Sequence, residues 1–282
     1  MQYKRLNAAG RLDDMRLGIQ CLLAENANQA MKIAQQLQEL NLQRRSIEAD
    51  MQDGATLSLE DVAIENHFSL SLFQPDWHQG VIGILASRIK ERFHRPTIAF
   101  ADTGDGLLKG SGRSIAGLHL RDALDLLSKH QPDLILKFGG HAMAAGLTIK
   151  QADFAQFAQS FEAVVKNLIT EADLESVLEI DGSLQTDEMH FATAEMLENQ
   201  VWGQGFVSPL FFDTFEVVDQ RLLSEKHLKL SLKKESLVIE AIYFNQTNFL
   251  PSPVQVAYAL QTNRYNGQSK VQLQIKTAID IS

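Results

Sequence analysis

The chain has 282 residues and a mass of 31.5 kDa, enough for two compact domains with their own cores. With 45% hydrophobic and 22% charged residues it is not disordered throughout, it has no apolar run of membrane-spanning length, and its single cysteine excludes a disulfide framework or a multi-cysteine zinc site. The formal net charge of −9 argues against a nucleic-acid partner, but residues 150–200 hold eleven of the 35 acids and two of the 26 bases, leaving 24 of each sign elsewhere.

The opening Met-Gln-Tyr-Lys-Arg-Leu-Asn lacks an apolar signal core, so the expected location is the cytoplasm. Leu6 to Asp14 has loop character, and residues 1–16 read as the tail of a preceding domain. Cys21, in the apolar run Ile19 to Leu23, is expected to be a small buried hydrophobe rather than a nucleophile. A long helix should start at Asn26, with Gln29 completing a variant capping box. Ala30, Ile33, Leu37, Leu40, Arg44, Ile47 and Met51 form a narrow apolar seam interrupted by one arginine. That pattern fits a bridging helix laid against a domain, ending at Asp53-Gly54.

A mixed region follows to about residue 167. Phe68–Phe73 and Thr97–Ala101 read as strands, and Val81–Arg92 as a helix stopped by Pro96. Asp102 to Gly106 turns the chain into a strand ending at Lys109. Leu118–Leu127 is helical, Gly146–Ile149 is a strand, and Phe154 to Leu168 is an amphipathic helix. Strands alternating with helices make an α/β domain. Beyond the acidic stretch at 171–188, five strands are expected: Phe211–Val218, Leu228–Leu232, Ser236–Phe244, Val254–Thr262 and Lys270–Thr277. Val271, Leu273 and Ile275 alternate cleanly, Asn266-Gly267 signals a tight hairpin, and the set suggests a small closed barrel of the OB type.

Three glycine-rich segments in the α/β region carry the chemistry. Trp77-His78-Gln79-Gly80 precedes a helix, where backbone amides can grip an anion or His78 can simply cap. Lys109-Gly110-Ser111-Gly112-Arg113-Ser114, expected as a loop at a strand end, offers exposed backbone, hydroxyls and a guanidinium suited to phosphate. It is not a Walker loop. Lys137-Phe138-Gly139-Gly140-His141-Ala142-Met143-Ala144-Ala145-Gly146 combines bare backbone with an imidazole. Each alone also fits an ordinary turn. Basic groups (Arg88, Lys90, Arg92, Arg95; Lys226, Lys229, Lys233, Lys234) read as solvated faces.

Taken in order, Trp77 to Arg88, Arg95-Pro96-Thr97, Gly110 to Ser114 and Phe138 to Leu147 resemble the RecJ family of single-strand-specific DNA exonucleases, phosphoesterases named for an Asp-His-His motif. The match extends from Leu6–Asp14 to His227–Leu230 and Val271–Lys276. The resemblance implies residues 1–56 as the end of a catalytic domain plus connecting helix, 57–168 as an associated substrate-binding domain, and 174–282 as an OB-fold. It implies that Arg113 and His141 hold the phosphates of a terminal nucleotide, lined by Ser111, Gly139 and Gly140, with His78, Arg11 and Lys229 as further candidates. Tyr243, Phe244 and Tyr265 would be available for base stacking. Single-stranded DNA is the implied partner, a single-strand-binding protein or helicase a further one, and a monomer the expected state.

Two departures stand out. No Asp-His-His occurs, and adjacent Asp13 and Asp14 do not converge on one ion, so the Mg2+ or Mn2+ of the intact enzyme is expected in a domain preceding this chain. Trp202-Gly203-Gln204-Gly205-Phe206 stands where the family carries a Pro-Phe-Gly turn. The chain alone is expected to be an inactive, C-terminal binding portion. Rival readings are a phosphoesterase of short oligonucleotides or cyclic dinucleotides, and a stand-alone single-strand DNA-binding or protein-docking module.

Overall fold

In the computed structural model, residues 2–59, 63–203, 206–265 and 267–281 are described. They form two compact units, Met1–Ser176 and Val177–Ser282. The mixed α/β region followed by a five-stranded closed barrel is the order expected from the sequence.

The first unit begins with α1 (Gln2–Leu12) and α2 (Arg16–Leu22), both packed on α3 (Ala27–Leu59). The loop expected at Leu6–Asp14 is therefore helical as far as Leu12. Ala8 and Ala9, good helix formers, are fully buried there, which offsets Asn7 and Gly10. The run at Ile19–Leu23 departs from its expected burial: Cys21 is half-buried, while Ile19, Leu22 and Leu23 are exposed. Asn26 does cap α3, its Oδ1 accepting from the Gln29 N–H at 2.9 Å. The helix does not stop at Asp53-Gly54. Its apolar seam continues through Met51, Ala55 and Leu59, all buried, and burial of that stripe outweighs one helical glycine.

The sheet comprises β1 (Leu70–Phe73), β2 (Thr97–Asp102), β3 (Leu107–Arg113), β4 (Lys137–Gly140) and β5 (Ala144–Lys150), in the order β1-β2-β3-β5-β4. The β1–β2 pair is parallel and the others antiparallel. One face packs on α5 (Leu120–His130) and α6 (Phe154–Leu168) through Ile98, Phe100, Leu108, Leu147, Ile149, Phe157 and Phe161. On the other face, α4 (Ile82–Phe93) and the end of α3 cover Leu70, Leu72, Ala99 and Ala101. β2 is accordingly buried almost throughout. β3 and β5 alternate buried with accessible, and β4 has no buried residue. The half of the sheet formed by β3, β5 and β4 thus presents an open face.

The second unit contains α7 (Phe191–Glu198), whose apolar pattern is too weak to be recognised in the sequence, and the strands β6 (Phe211–Leu223), β7 (His227–Lys234), β8 (Leu237–Tyr243), β9 (Val254–Tyr265) and β10 (Gln268–Asp280). They close as β10-β8-β7-β6-β9, around Phe215, Leu228, Leu230, Leu232, Tyr258, Leu273 and Ile275. Tyr265 faces Gln268 where β9 turns into β10, and Gly267 takes a φ of +75°. Asn266, like Gln204 and Gly205, lies outside the described residues. Inside the barrel, Asp213 accepts from the Tyr258 hydroxyl and from the Lys234 ammonium, each at 2.6 Å.

Candidate functional site

The glycine-rich segments expected as loops are mostly strand. Gly110, Ser111, Gly112 and Arg113 all lie in β3, and Gly139 and Gly140 in β4. At Gly110 and Gly112 the misreading has a packing cause: neighbouring core side chains fill the space that a side chain in β3 would need. A Cβ on Gly110 would come within 2.6 Å of the Phe100 ring, and one on Gly112 within 2.8 Å of Leu120.

Alternation along β3 then sends Gly110 and Gly112 into the core and Lys109, Ser111 and Arg113 onto the open face. Arg113 is half-buried there. Its Nη1 donates to the Gly112 carbonyl at 2.7 Å and to Ser111 Oγ at 3.3 Å. The first turn of α4 abuts this pair, since a Cβ on Gly83 would stand 2.9 Å from Ser111 Oγ and 3.1 Å from Arg113 Nη2. Burial first, and then the charge of Arg11, lower the pKa of the Arg113 guanidinium. It remains a cation, held in a setting that an anion would improve.

The His141 turn sits at the same end of the sheet. Arg113 is the cross-strand partner of Ala144, and the His141 N–H donates to the Ala144 carbonyl at 2.8 Å. The Met143 carbonyl accepts from Ser114 N (3.0 Å) and the Ala142 carbonyl from Leu120 N (2.8 Å), so the turn is pinned to the end of β3 and the start of α5. Gly140 is required by its backbone: φ is +149°, and a Cβ would lie 2.4 Å from the Ala144 oxygen. The structure therefore brings Ser111, Arg113, Gly139, Gly140 and His141 together. The His141 side chain is exposed.

Arg11 approaches from α1. Its pKa is lowered by burial and by Arg44, against the opposite pull of Glu48. Asn7, Arg11, Arg44, Glu48, Ile84 and Arg88 line a cavity of about 210 Å³. Glu48 takes a hydrogen bond from Arg44 and another from Arg88 at 3.4 Å. Sequence reasoning missed this cluster, although Arg44 interrupting the apolar seam was the signal. His78 is placed as a turn-former: its Nδ1 accepts from the Gly80 N–H at 3.0 Å, while Trp77 is 4% exposed. Gly80 packs directly on α1, where a Cβ would overlap the Arg11 carbonyl.

Lys229 belongs to the barrel unit and pairs with Glu240 at 2.9 Å. That hydrogen bond holds the Glu240 carboxyl below its ordinary value. Phe244 is exposed and meets the His227 ring edge-on at 5.1 Å, whereas Tyr243 packs against the barrel core. The side chain of Tyr265 lies outside the described residues.

Among the described residues, no group of three or more His, Cys, Asp or Glu side chains could hold a metal ion. Asp14 is taken by Arg16, whose main-chain N–H donates to Oδ1 at 2.8 Å. The described residues thus do not fit a divalent-ion centre. No described helix is long and apolar enough to cross a membrane.

Comparison with known proteins identifies two domains. Residues 65–167 match the DHHA1 domain and residues 180–277 match the RecJ OB domain. The single-stranded-DNA-specific exonuclease RecJ of Dickeya dadantii is 48% identical over 283 residues, covering 96% of this chain and 49% of the relative. That of Escherichia coli K12 is 45% identical over 280 residues, covering 95% and 48%. The chain thus spans about half the length of the curated relatives it matches. The crystal structure of Thermus thermophilus RecJ with Mg2+ superimposes at a TM-score of 0.76 and 28% identity, over 99% of this chain and 42% of that one. A Mn2+ complex of the same protein matches with the same TM-score. The chain thus carries a DHHA1 domain followed by a RecJ OB domain, and over nearly its whole length it is similar to about half of the RecJ exonucleases.

Proposed function

We propose that this chain is the substrate-binding portion of a 5′-to-3′ exonuclease specific for single-stranded DNA, acting in DNA repair and recombination. The first unit takes the terminal phosphate and the barrel takes strand further along. The observation that carries this reading is the convergence of Ser111, Arg113 and the His141 turn on an accessible sheet face. There, a half-buried guanidinium is crowded by a second cation, Arg11. A phosphate placed there gains charge-assisted hydrogen bonds and relieves like-charge repulsion.

In this reading Arg113 orients the phosphate, Ser111 Oγ and the bare backbone of Gly139 and Gly140 admit it closely, and His141 supplies an exposed imidazole beside it. Lys229 and Phe244 serve the strand on the barrel, one by charge and one by stacking. The divalent ions implied by the relatives belong to the portion of those proteins that this chain does not cover. A cytoplasmic monomer follows from the same reading, and a single-strand-binding protein or helicase is a partner it leaves room for.

The test is to offer the purified chain a single-stranded oligonucleotide and a duplex of the same sequence. It should bind the single strand in preference and leave it uncut in Mg2+ or Mn2+. Chelator-sensitive degradation by the purified chain, or equal binding to duplex, would overturn the proposal.

A further inference from the structure

Strand pairing arranges the open sheet face in three rows. Arg113 lies opposite Ala144 in the first, Ser111–Gly146–Gly139 form the second, and Lys109–Thr148–Lys137 form the third. Residues opposite one another share a face, so all three rows look out of the same side. Adjacent rows are separated by two residues along each strand, about 7 Å, which puts the third row about 13 Å from the first at the backbone.

Beyond the Ser111 side chain, the middle row is bare at Gly146 and Gly139 for no reason internal to the fold. Gly139 has no positive φ, and a Cβ there would meet nothing within 4 Å. At Gly146 a Cβ would meet only the Gly110 oxygen, at 3.8 Å. Both glycines are exposed, and glycine weakens a strand interior. By contrast, packing requires Gly110 and Gly112, and backbone conformation requires Gly140. An unforced glycine in a strand marks a place where another group comes close.

Lys109 and Lys137 flank this floor on the third row. Both are exposed, and neither ammonium has an ion-pair or hydrogen-bond partner among the described residues. Together with Gly110, Phe138, Gly139, Gly146, Leu147 and Thr148 they line a cavity of about 250 Å³. Two uncompensated ammonium groups at the far end of a floor without side chains form an anion-attracting concavity.

We propose that Lys109, Thr148 and Lys137 form a second anion subsite, which takes a further phosphate of the ligand whose terminal phosphate Arg113 holds, while the intervening unit lies flat on Gly139 and Gly146. The subsite rests on the phosphate reading of Arg113 and extends it. The second phosphate is either the next one along a strand or the outer phosphate of a 5′-polyphosphate end; the shared chemistry is a phosphate one unit beyond the first.

The experiment is titration calorimetry of the 282-residue chain with thymidine 5′-monophosphate, the 5′-phosphorylated dinucleotide pdTpdT and thymidine triphosphate. In the Lys109→Ala/Lys137→Ala double variant, affinity for pdTpdT or for the triphosphate should fall about tenfold, the loss of a charge-assisted contact, with monophosphate affinity unchanged. A loss on pdTpdT identifies the strand phosphate, and a loss on the triphosphate identifies the polyphosphate end. Gly146→Val should reproduce the selective loss by filling the floor, with an unchanged melting temperature. The subsite is overturned if both longer ligands bind the double variant as tightly as they bind the original chain. Should Arg113→Ala leave all three ligands unaffected, the underlying phosphate reading fails instead, and the subsite with it.

Discussion

Arg113 and His141 are joined through one residue: Ala144 is the cross-strand partner of Arg113 and accepts the main-chain N–H of His141 at 2.8 Å. Residues far apart in the chain are thereby fixed to the same end of β5, in a turn held by three backbone hydrogen bonds. A site set on paired strands does not depend on a mobile loop for its geometry, which is what recognition of a small anion requires.

Gly83→Ala separates recognition from stability. The added methyl would stand 2.9 Å from Ser111 Oγ and 3.1 Å from Arg113 Nη2, and both groups can swing aside. Replacing a helical glycine should leave stability equal or up to about 1 kcal/mol higher. Affinity for a 5′-phosphorylated oligonucleotide should nevertheless fall about threefold to tenfold, the scale of one distorted hydrogen bond. Unchanged affinity by fluorescence anisotropy would show that Arg113 does not hold the phosphate in the position seen.

Glu48→Ala should be costly to the fold. The Glu48 and Arg44 side chains are 14% and 11% exposed, and Glu48 also accepts from Arg88. Removing the carboxylate leaves Arg11, Arg44 and Arg88 crowded together, and losing one partner of such a pair costs about 3 kcal/mol. Chemical denaturation of the first unit should report that loss. A change under about 1 kcal/mol would mean that solvent already screens the cluster.

Tyr258→Phe should remove an alkaline sensitivity of the barrel. Burial first, and Asp213 second, raise the Tyr258 pKa above its ordinary value. A group whose folded pKa is raised contributes fully below the unfolded value, about pH 10, and loses that contribution as pH rises beyond it. Stability of the original chain should fall more steeply above about pH 10 than that of the variant, by up to about 1.4 kcal/mol per pH unit. Parallel pH profiles would contradict the burial of this phenol.

Much of the barrel was legible because half-buried strands repeat every two residues, as Val271, Leu273 and Ile275 do, and because Gly267 sits in a two-residue hairpin. The site's strands were legible only in part: Gly146–Ile149 and the strand leading to Lys109 read as such, but Gly110, Gly112 and Gly139 remove the apolar alternation that would identify the rest of β3 and β4. The length of α3 was equally hidden. Gly54 and Asp53 spell a helix end locally, and only the tertiary burial of Ala55 and Leu59 overrides them. Arg113 and His141 could be named from their motifs. The Arg11–Arg44–Glu48–Arg88 cluster could not, because three separate helices supply it.

Lys229 and Glu240 offer a two-sided test of the barrel. Lys229→Ala should weaken binding of a long single strand and reduce the magnitude of its salt slope by about 0.7, the value for one phosphate contact on single-stranded nucleic acid. Glu240→Gln, which releases Lys229 from its ion pair, should strengthen binding at low salt. If neither variant changes the slope, Lys229 is a structural cation of β7.

The most direct measurement compares one oligonucleotide carrying a 5′-phosphate with the same oligonucleotide ending in a 5′-hydroxyl, titrated by fluorescence anisotropy into the chain and into its Arg113→Ala variant. The original chain should prefer the phosphorylated end by about tenfold or more, and the variant should lose that preference while still binding the strand. Equal affinity of the original chain for both ends would contradict a terminal-phosphate pocket at Ser111, Arg113 and His141.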